Sequence, residues 1–263
     1  MNFSVEIVAI GDELCYGRVQ DTNSFWIADQ ITKLGGEVRR ITCIKDGLDE
    51  IHNAFKEALE RKPKLIISTG GLGPTSDDYT IDALAKLSKK KAIINKDALM
   101  SISEKRGIDL DEIPEHFVKM SRSIDGANCI LNPIGVAPTT SLKINKTMII
   151  VMPGPPKEVQ SIFKDRLSAI IQKEASGRSL SDRVVVNMRE SEVSPIVEYI
   201  MEVEDGVYLK PLVGQSNPKI GLSIEILVFD KDLEKCKVKM NKVTQILEDL
   251  VKEKGRKIKR QVT

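Results

Sequence analysis

Three short apolar runs, residues 5–10, 65–68 and 148–151, each break off into a segment of glycine, proline or acid, and each precedes a stretch of helical periodicity. No other feature of the chain constrains its fold as much. An apolar run of this length bounded by turn residues reads as a strand buried on both faces. Strands alternating with helices read as βαβ units around a parallel sheet. After the first run, residues 22–34 form the first expected helix, with Thr22 as its N-cap. Ile27, Ile31 and Leu34 lie on one face, and Gly35-Gly36 is the stop. Residues 37–44 give a second strand, and Leu48, Ile51, Phe55 and Leu59 space a second helix. The third strand, 65–68, leads through a glycine-rich loop to a helix expected to start at Asp77 or Asp78. Helices are also expected over 96–105 and 111–120. The run 148–151 precedes a helix whose buried face is Val159, Ile162, Phe163 and Ile170. Trp26 is expected to pack a helix against the sheet.

Residues 1–174 therefore read as one α/β domain, doubly wound around a mostly parallel sheet. Residues 175–181 are small and polar and read as a linker. Beyond them the order changes to strand 183–189, helix 192–202, strands 206–210 and 219–229, and a helix over 231–254. That βαββα set suits a small α+β domain over 180–263. Residues 252–260 read as a solvated, frayed basic tail.

Composition removes several function classes. Lys+Arg 40 against Asp+Glu 38 leaves a net charge of +2, so no global field marks a nucleic-acid or membrane binder. Aromatic residues are 4%, too few for a base-stacking platform. Two histidines, His52 and His116, exclude a three-histidine zinc site within one chain. The four cysteines are far apart in sequence and form no CxxC pair, so each reads as a small hydrophobe in a reducing compartment. No apolar stretch approaches the length of a membrane span, and the N-terminus does not read as a signal peptide. The expected location is the cytoplasm.

In an open α/β sheet, ligands bind beyond the carboxyl ends of the strands. The unusual segments all sit there: Gly11-Asp12-Glu13-Leu14, Lys45-Asp46-Gly47, the loop from Thr69 to Asp78, and Pro153-Gly154-Pro155-Pro156. The loop Thr69-Gly70-Gly71-Leu72-Gly73-Pro74-Thr75 leads into a helix. Glycines there let backbone N–H groups converge on an anionic oxygen, and a helix N-terminus adds positive potential. Phosphate is the natural ligand, although the loop is neither a Walker P-loop nor a GxGxxG fingerprint. Asp12, Glu13, Asp46, Asp77 and Asp78 share this rim. Carboxylates beside a phosphate repel it unless a cation stands between, and Mg²⁺ bridges carboxylates to phosphates in this way. Simpler roles stand beside these: Asp77 or Asp78 as a helix cap, Asp46 as a turn residue, and the loops 132–138 and 153–156 as rigid turns. Ser68, Thr75 and Ser76 have no nearby histidine, so a Ser-His-Asp triad is unsupported.

Gly11-Asp12-Glu13-Leu14 with Gly17 and Asp21-Thr22-Asn23 resembles the opening of the MoaB/MogA/MoeA molybdopterin-binding fold. The run from Thr69 through Ser76-Asp77-Asp78 points closer, together with Asn132-Pro133-Ile134-Gly135-Val136-Ala137-Pro138 and Met152-Pro153-Gly154-Pro155-Pro156. In this combination and order the chain resembles the N-terminal domain of the CinA (competence/damage-inducible) family. The resemblance implies a metal-dependent hydrolase that splits ADP-ribose into AMP and ribose 5-phosphate, with Mg²⁺ or Co²⁺. It implies Gly70, Gly71, Gly73 and Thr75 as the phosphate cradle and Asp78 and Asp46 as the functional aspartates. Glu13 and Asp12 would hold metal directly or through water, and Asn23 would face the ligand. The resulting expectation is Asp46, Asp78 and Glu13 as catalytic and metal-holding residues. Asp12, Asn23, Thr69, Gly70, Gly71, Gly73, Pro74, Thr75, Gly135, Pro153 and Gly154 are the expected substrate contacts. The alternative is a protein that binds a molybdopterin or nucleotide without cleaving it. The expected assembly is a homo-oligomer, a dimer ahead of a MogA-like trimer. Two departures matter. The chain shows no nicotinamide-mononucleotide deamidase domain of the kind that follows in full-length bacterial CinA proteins. Position 72 is Leu where MogA-like proteins often carry Thr, which weakens the case for molybdopterin adenylylation.

Overall fold

The computed structural model describes residues 3–175, 177–217 and 221–260. It divides into two units, residues 1–31 with 36–174, and residues 32–35 with 175–263.

In the first unit the strands are β1 (Phe3–Ile10), β2 (Gly36–Ile44), β3 (Leu65–Thr69), β4 (Ala92–Ile94), β5 (Arg122–Ile124), β6 (Asn128–Ile130), β7 (Thr139–Ile144) and β8 (Thr147–Met152). The helices are α1 (Asp12–Cys15), α2 (Thr22–Lys33), α3 (Leu48–Glu60), α4 (Thr80–Ser88), α5 (Lys96–Arg106), α6 (Glu115–Met120), α7 (Pro156–Ile162) and α8 (Ser168–Glu174). The main sheet runs β2-β1-β3-β8-β7-β6. Its first four strands are parallel, and β7 and β6 add an antiparallel edge. β4 and β5 form a separate two-stranded sheet. The order 2-1-3 places β1 at the switch point, where the connections on either side leave in opposite directions and open a crevice.

Side chains alternate across each strand, so each buried strand feeds two cores. Val8, Ile10, Ile66, Ile149 and Val151 join Ile51, Phe55 and Leu84 in one cluster. Val5, Ile7, Ile67 and Ile150 are equally buried and point the other way. On that opposite side Trp26 meets Phe163 edge-on, ring centroids 5.4 Å apart. Glu6 shares the face of Val8 and Ile10 and is only 4% exposed. Its carboxylate accepts three hydrogen bonds of 2.7 to 3.1 Å from the Arg61 guanidinium at the end of α3.

Several sequence expectations need correction here. The cap of α2 is Asp21, whose Oδ1 accepts from the Ser24 N–H at 2.9 Å, while Thr22 already lies inside the helix. Leu34 falls outside that helix. The helix expected from Asp77 or Asp78 starts at Thr80, and neither aspartate caps it. The expected helix 111–120 is a single 3-10 turn at Leu110–Glu112 followed by α6, because Pro114 interrupts it. After α7 the backbone makes a π turn, Phe163–Leu167, and the buried residues that continue the face are Leu167 and Ile171 rather than Ile170.

In the second unit β9 (Arg178–Val186), β10 (Val207–Asn217), β11 (Gly221–Asp230) and β12 (Ile258–Arg260) form an antiparallel sheet ordered β10-β11-β9-β12. α9 (Glu190–Val203) and α10 (Leu233–Glu253) cover one face of it. Val184, Val186, Ile224, Ile226 and Val228 alternate onto that face against Val193, Ile200, Val243 and Leu247. The expected linker is shorter than residues 175–181, since β9 starts at Arg178. Residues 219 and 220 of one expected strand lie outside the described residues. The expected frayed tail is instead tied down. Residues Ile258–Arg260 pair with β9, and Arg256 donates to Glu192 at 2.6 Å. Among the described residues no helix is long and apolar enough to cross a membrane.

A buried carboxylate that loses its partner is costly. Arg61→Ala should destabilise the first unit by about 3 kcal/mol, and Glu6→Leu with Arg61→Leu should recover much of that loss. Urea denaturation of the three proteins checks this.

Candidate functional site

Beyond the carboxyl ends of β1, β3 and β8 lies a cleft of about 410 Å³. One wall is the glycine loop. Gly70 and Gly71 have φ of +100° and +66°, a region that disfavours side chains. A Cβ on Gly70 would stand 2.1 Å from the Ile10 carbonyl oxygen, and one on Gly71 would stand 2.1 Å from Thr80 Oγ1. Backbone thus packs directly on backbone at the switch point. The buried Thr80 hydroxyl donates to the Gly70 carbonyl at 3.0 Å, and the Thr80 N–H to Gly71 O at 3.2 Å, which fixes the loop to the first turn of α4. The Gly70 N–H donates to Met152 O at 3.1 Å. Among the described residues, the N–H groups of Gly71, Leu72 and Gly73 have no protein acceptor.

Asp78 organises the loop tip. Its Oδ2 accepts from the Thr75 N–H at 2.8 Å and from the Thr75 hydroxyl at 2.6 Å. This turn explains why the helix starts later than expected: the aspartate's hydrogen bonds close the loop behind it. Its carboxylate also fills the space a Cβ on Gly73 would need, at 2.7 Å.

The opposite corner is built from the ends of β1 and β2. The Asp12 N–H donates to Asp46 Oδ2 at 2.9 Å, and the Asp46 N–H donates to Asp12 Oδ1 at 3.2 Å. Each carboxylate caps the other's backbone, and the Gly11 N–H adds a bond to Ile44 O at 3.0 Å. Burial pushes the Asp46 carboxyl above its ordinary value. The Asp12 N–H pulls it back, and the charges of Asp12, Asp77 and Asp78 push it up again.

A third wall comes from residues 132–138. Asn132 is buried, with Oδ1 accepting from the N–H groups of Ile134 and Gly135 and Nδ2 donating to Ala137 O and to Glu158 Oε2. Val136, Ala137 and Glu158 face the cleft.

Of the expected residues, Glu13, Asp46, Asp78, Gly70, Gly71, Gly73, Pro74, Thr75, Pro153 and Gly154 line this one cleft. Four expected substrate contacts do not. Asp12 is engaged with Asp46. Asn23 spends its amide on the Gly154 carbonyl at 2.7 Å, so it holds the Pro153-Gly154 wall in place. Thr69 is buried at the end of its strand. Gly135 supports Glu158, whose carboxyl lies 2.2 Å from where a Cβ would stand. Sequence reading missed Glu158 as a cleft residue, because nothing in its helical spacing separates it from a solvated acid.

The charge of the lining is one-sided. Glu13, Asp46, Asp77, Asp78 and Glu158 face the cleft, and among the described residues no Lys, Arg or His does. The nearest amines serve the loops: Lys119 donates to the Thr75 carbonyl, and Lys105 to the carbonyls of Asn132 and Gly135. Lys119 and Arg122 line two adjoining pockets: a small one that shares Gly71, Leu72, Gly73, Asp78 and Met120 with the cleft, and one of about 630 Å³ beside Pro74. Among the described residues no three Asp, Glu, His or Cys side chains converge to hold a metal by themselves. Glu13, Asp46 and Asp78 therefore share the cleft without forming a closed cage.

The raised Asp46 carboxyl makes stability depend on pH. A carboxyl whose folded pKa is raised costs stability once pH exceeds its unfolded value, so Asp46→Asn should stabilise the ligand-free protein at pH 7. The gain should be under about 1 kcal/mol, because the group is partly solvated. It should vanish near about pH 3, where Asp46 is protonated in both states. Urea titrations at the two pH values measure it.

Comparison with known proteins gives a consistent picture. The family described as "Probable molybdopterin binding domain" matches residues 6–173. A protein of Metallosphaera sedula is 34% identical over 260 residues, 97% of each chain. A protein of Saccharolobus solfataricus is 36% identical over 250 residues, covering 94% of this chain and 91% of its own. Among solved structures, a CinA protein of unknown function from Thermoplasma acidophilum is 34% identical with a TM-score of 0.61. It covers 65% of this chain and 98% of its own.

Proposed function

The chain belongs to the family of probable molybdopterin-binding domains, and from that premise we propose that its cleft takes a nucleotide diphosphate with a divalent cation and hydrolyses the pyrophosphate bond. ADP-ribose is the proposed substrate, with water added to give AMP and ribose 5-phosphate. The observation that supports this reading is the pairing of three N–H groups that have no protein acceptor among the described residues with five carboxylates lining the cleft, while the basic Lys119 and Arg122 lie in the adjoining pocket on the same loop. The amides select an anion. The carboxylates admit one only when a cation accompanies it.

The N–H groups of Gly71, Leu72 and Gly73 would bind nonbridging oxygens of one phosphate, supported by the N-terminus of α4. Asp46 and Asp78, with Glu13 beside them, would hold Mg²⁺ or Co²⁺. When bound, such an ion offsets phosphate charge and polarises water. Thr75, fixed by Asp78, would set the loop tip over the ligand. Glu13, the exposed member of the trio, would orient water at the cleft mouth. Pro153 and Gly154, held by Asn23, would close the far side.

A second reading has its own support. The matching family is described by binding, and among the described residues no histidine or cysteine lines the cleft as an evident proton carrier. On that reading the same amides hold the phosphate of a molybdopterin or nucleotide that is not cleaved. Absorbance and mass analysis of ligand extracted from the purified protein, run beside the hydrolysis assay, separates the two.

The assay is AMP release from ADP-ribose with Mg²⁺ or Co²⁺, followed chromatographically. Chelator should abolish turnover, and Asp78→Asn should lower kcat/KM by roughly 100-fold or more with thermal unfolding little changed. Turnover that persists in chelator, or wild-type turnover in the variant, would contradict the reading.

A further inference from the structure

Two cysteines that are 28 residues apart in sequence meet in the fold. Cys15 closes α1 and Cys43 lies near the end of β2, and their Sγ atoms are 3.7 Å apart. Both residues are exposed, whereas Cys129 is half-buried and Cys236 is buried with its thiol donating to the Arg178 carbonyl at 3.4 Å. A disulfide needs its sulfurs at about 2.05 Å. The remaining gap is under about 2 Å, within reach of side-chain rotation at an exposed position. The same two segments are already joined by the reciprocal bonds of Asp12 and Asp46 and by Gly11 to Ile44. Their backbones therefore stay where the thiols can meet.

We propose that Cys15 and Cys43 form a reversible disulfide site that, when oxidised, locks the acidic corner of the cleft. The oxidant is a peroxide. One thiol sulfur attacks an oxygen of the O–O bond, giving a sulfenic acid and one water. The second thiol then attacks that sulfur, forming the S–S bond and releasing the second water. Two S–H bonds are lost, two electrons pass to the peroxide, and both protons leave in water. Glu13 lies between Asp12 and Cys15 and lines the cleft, so the cross-link fixes a segment that carries a cleft carboxylate. The closed loop of 28 residues constrains the unfolded chain as well.

The proposal is independent of which ligand the cleft takes, and its test uses no substrate. The full chain, at low protein concentration, is treated with hydrogen peroxide, unfolded in an alkylating reagent and digested without reduction. Mass analysis should show a peptide joining Cys15 to Cys43, lighter by two hydrogens, with Cys129 and Cys236 alkylated. Tm should rise by roughly 5–10 °C and return with dithiothreitol. Cys15→Ser and Cys43→Ser, both exposed changes that leave the core intact, should show neither effect. Hydrogen exchange at the Asp12 and Asp46 amides should slow several-fold in the oxidised protein. Separate sulfinic acids on the two residues, or cross-links between chains, would overturn the site. A cross-link without slower exchange at Asp12 and Asp46 would overturn its action on the corner.

Discussion

The approach of the Gly70 backbone to the Ile10 carbonyl is the contact on which the site depends. It sits where β1 and β3 part, and it leaves no room for a Cβ. Beyond that contact, the N–H groups of Gly71, Leu72 and Gly73 have no protein acceptor among the described residues. Thr80 then fastens the loop to the first turn of α4. A side chain at position 70 or 71 would push the loop away from the rim and dissolve the wall.

If the loop amides take an anion, as proposed, the acidic lining of the cleft works against them. The resolution is electrostatic. Burial raises the Asp46 carboxyl, and the charges of Asp12, Asp77 and Asp78 add to that rise. A cation counters that rise and at the same time presents charge to a phosphate. On the proposed reading, ligand and ion bind together, and selectivity comes from the pair. The cleft's apolar members, Ile10, Leu72, Met120 and Val136, lower the local dielectric and strengthen each of these terms.

Much of this was legible in the sequence. β1, β3 and β8 are continuous apolar runs because both faces are buried, and the rim motifs follow them directly. The segments β4 to β7 were not legible. Arg122–Ile124 and Asn128–Ile130 are three residues long, and β7 opens on Thr139 and Thr140, so none carries a hydrophobic period. The α4 start is not legible, because an aspartate that closes a turn looks the same in sequence as one that caps a helix. Asn23 and Gly135 belong to the motifs but act as supports, a distinction that needs their partners Gly154 and Glu158 to be seen. The nearness of Cys15 to Cys43 depends on β1 pairing with β2 in parallel, which spacing along the chain does not reveal.

The most direct measure of the central claim is calorimetric binding of a non-hydrolysable methylene analogue of ADP-ribose, with Mg²⁺ and with chelator. Coupled occupancy by ion and diphosphate predicts that affinity falls at least about tenfold when the ion is removed, and that Asp46→Asn flattens the dependence. Equal affinity in chelator would show that the amides alone hold the diphosphate and that the carboxylates are bystanders.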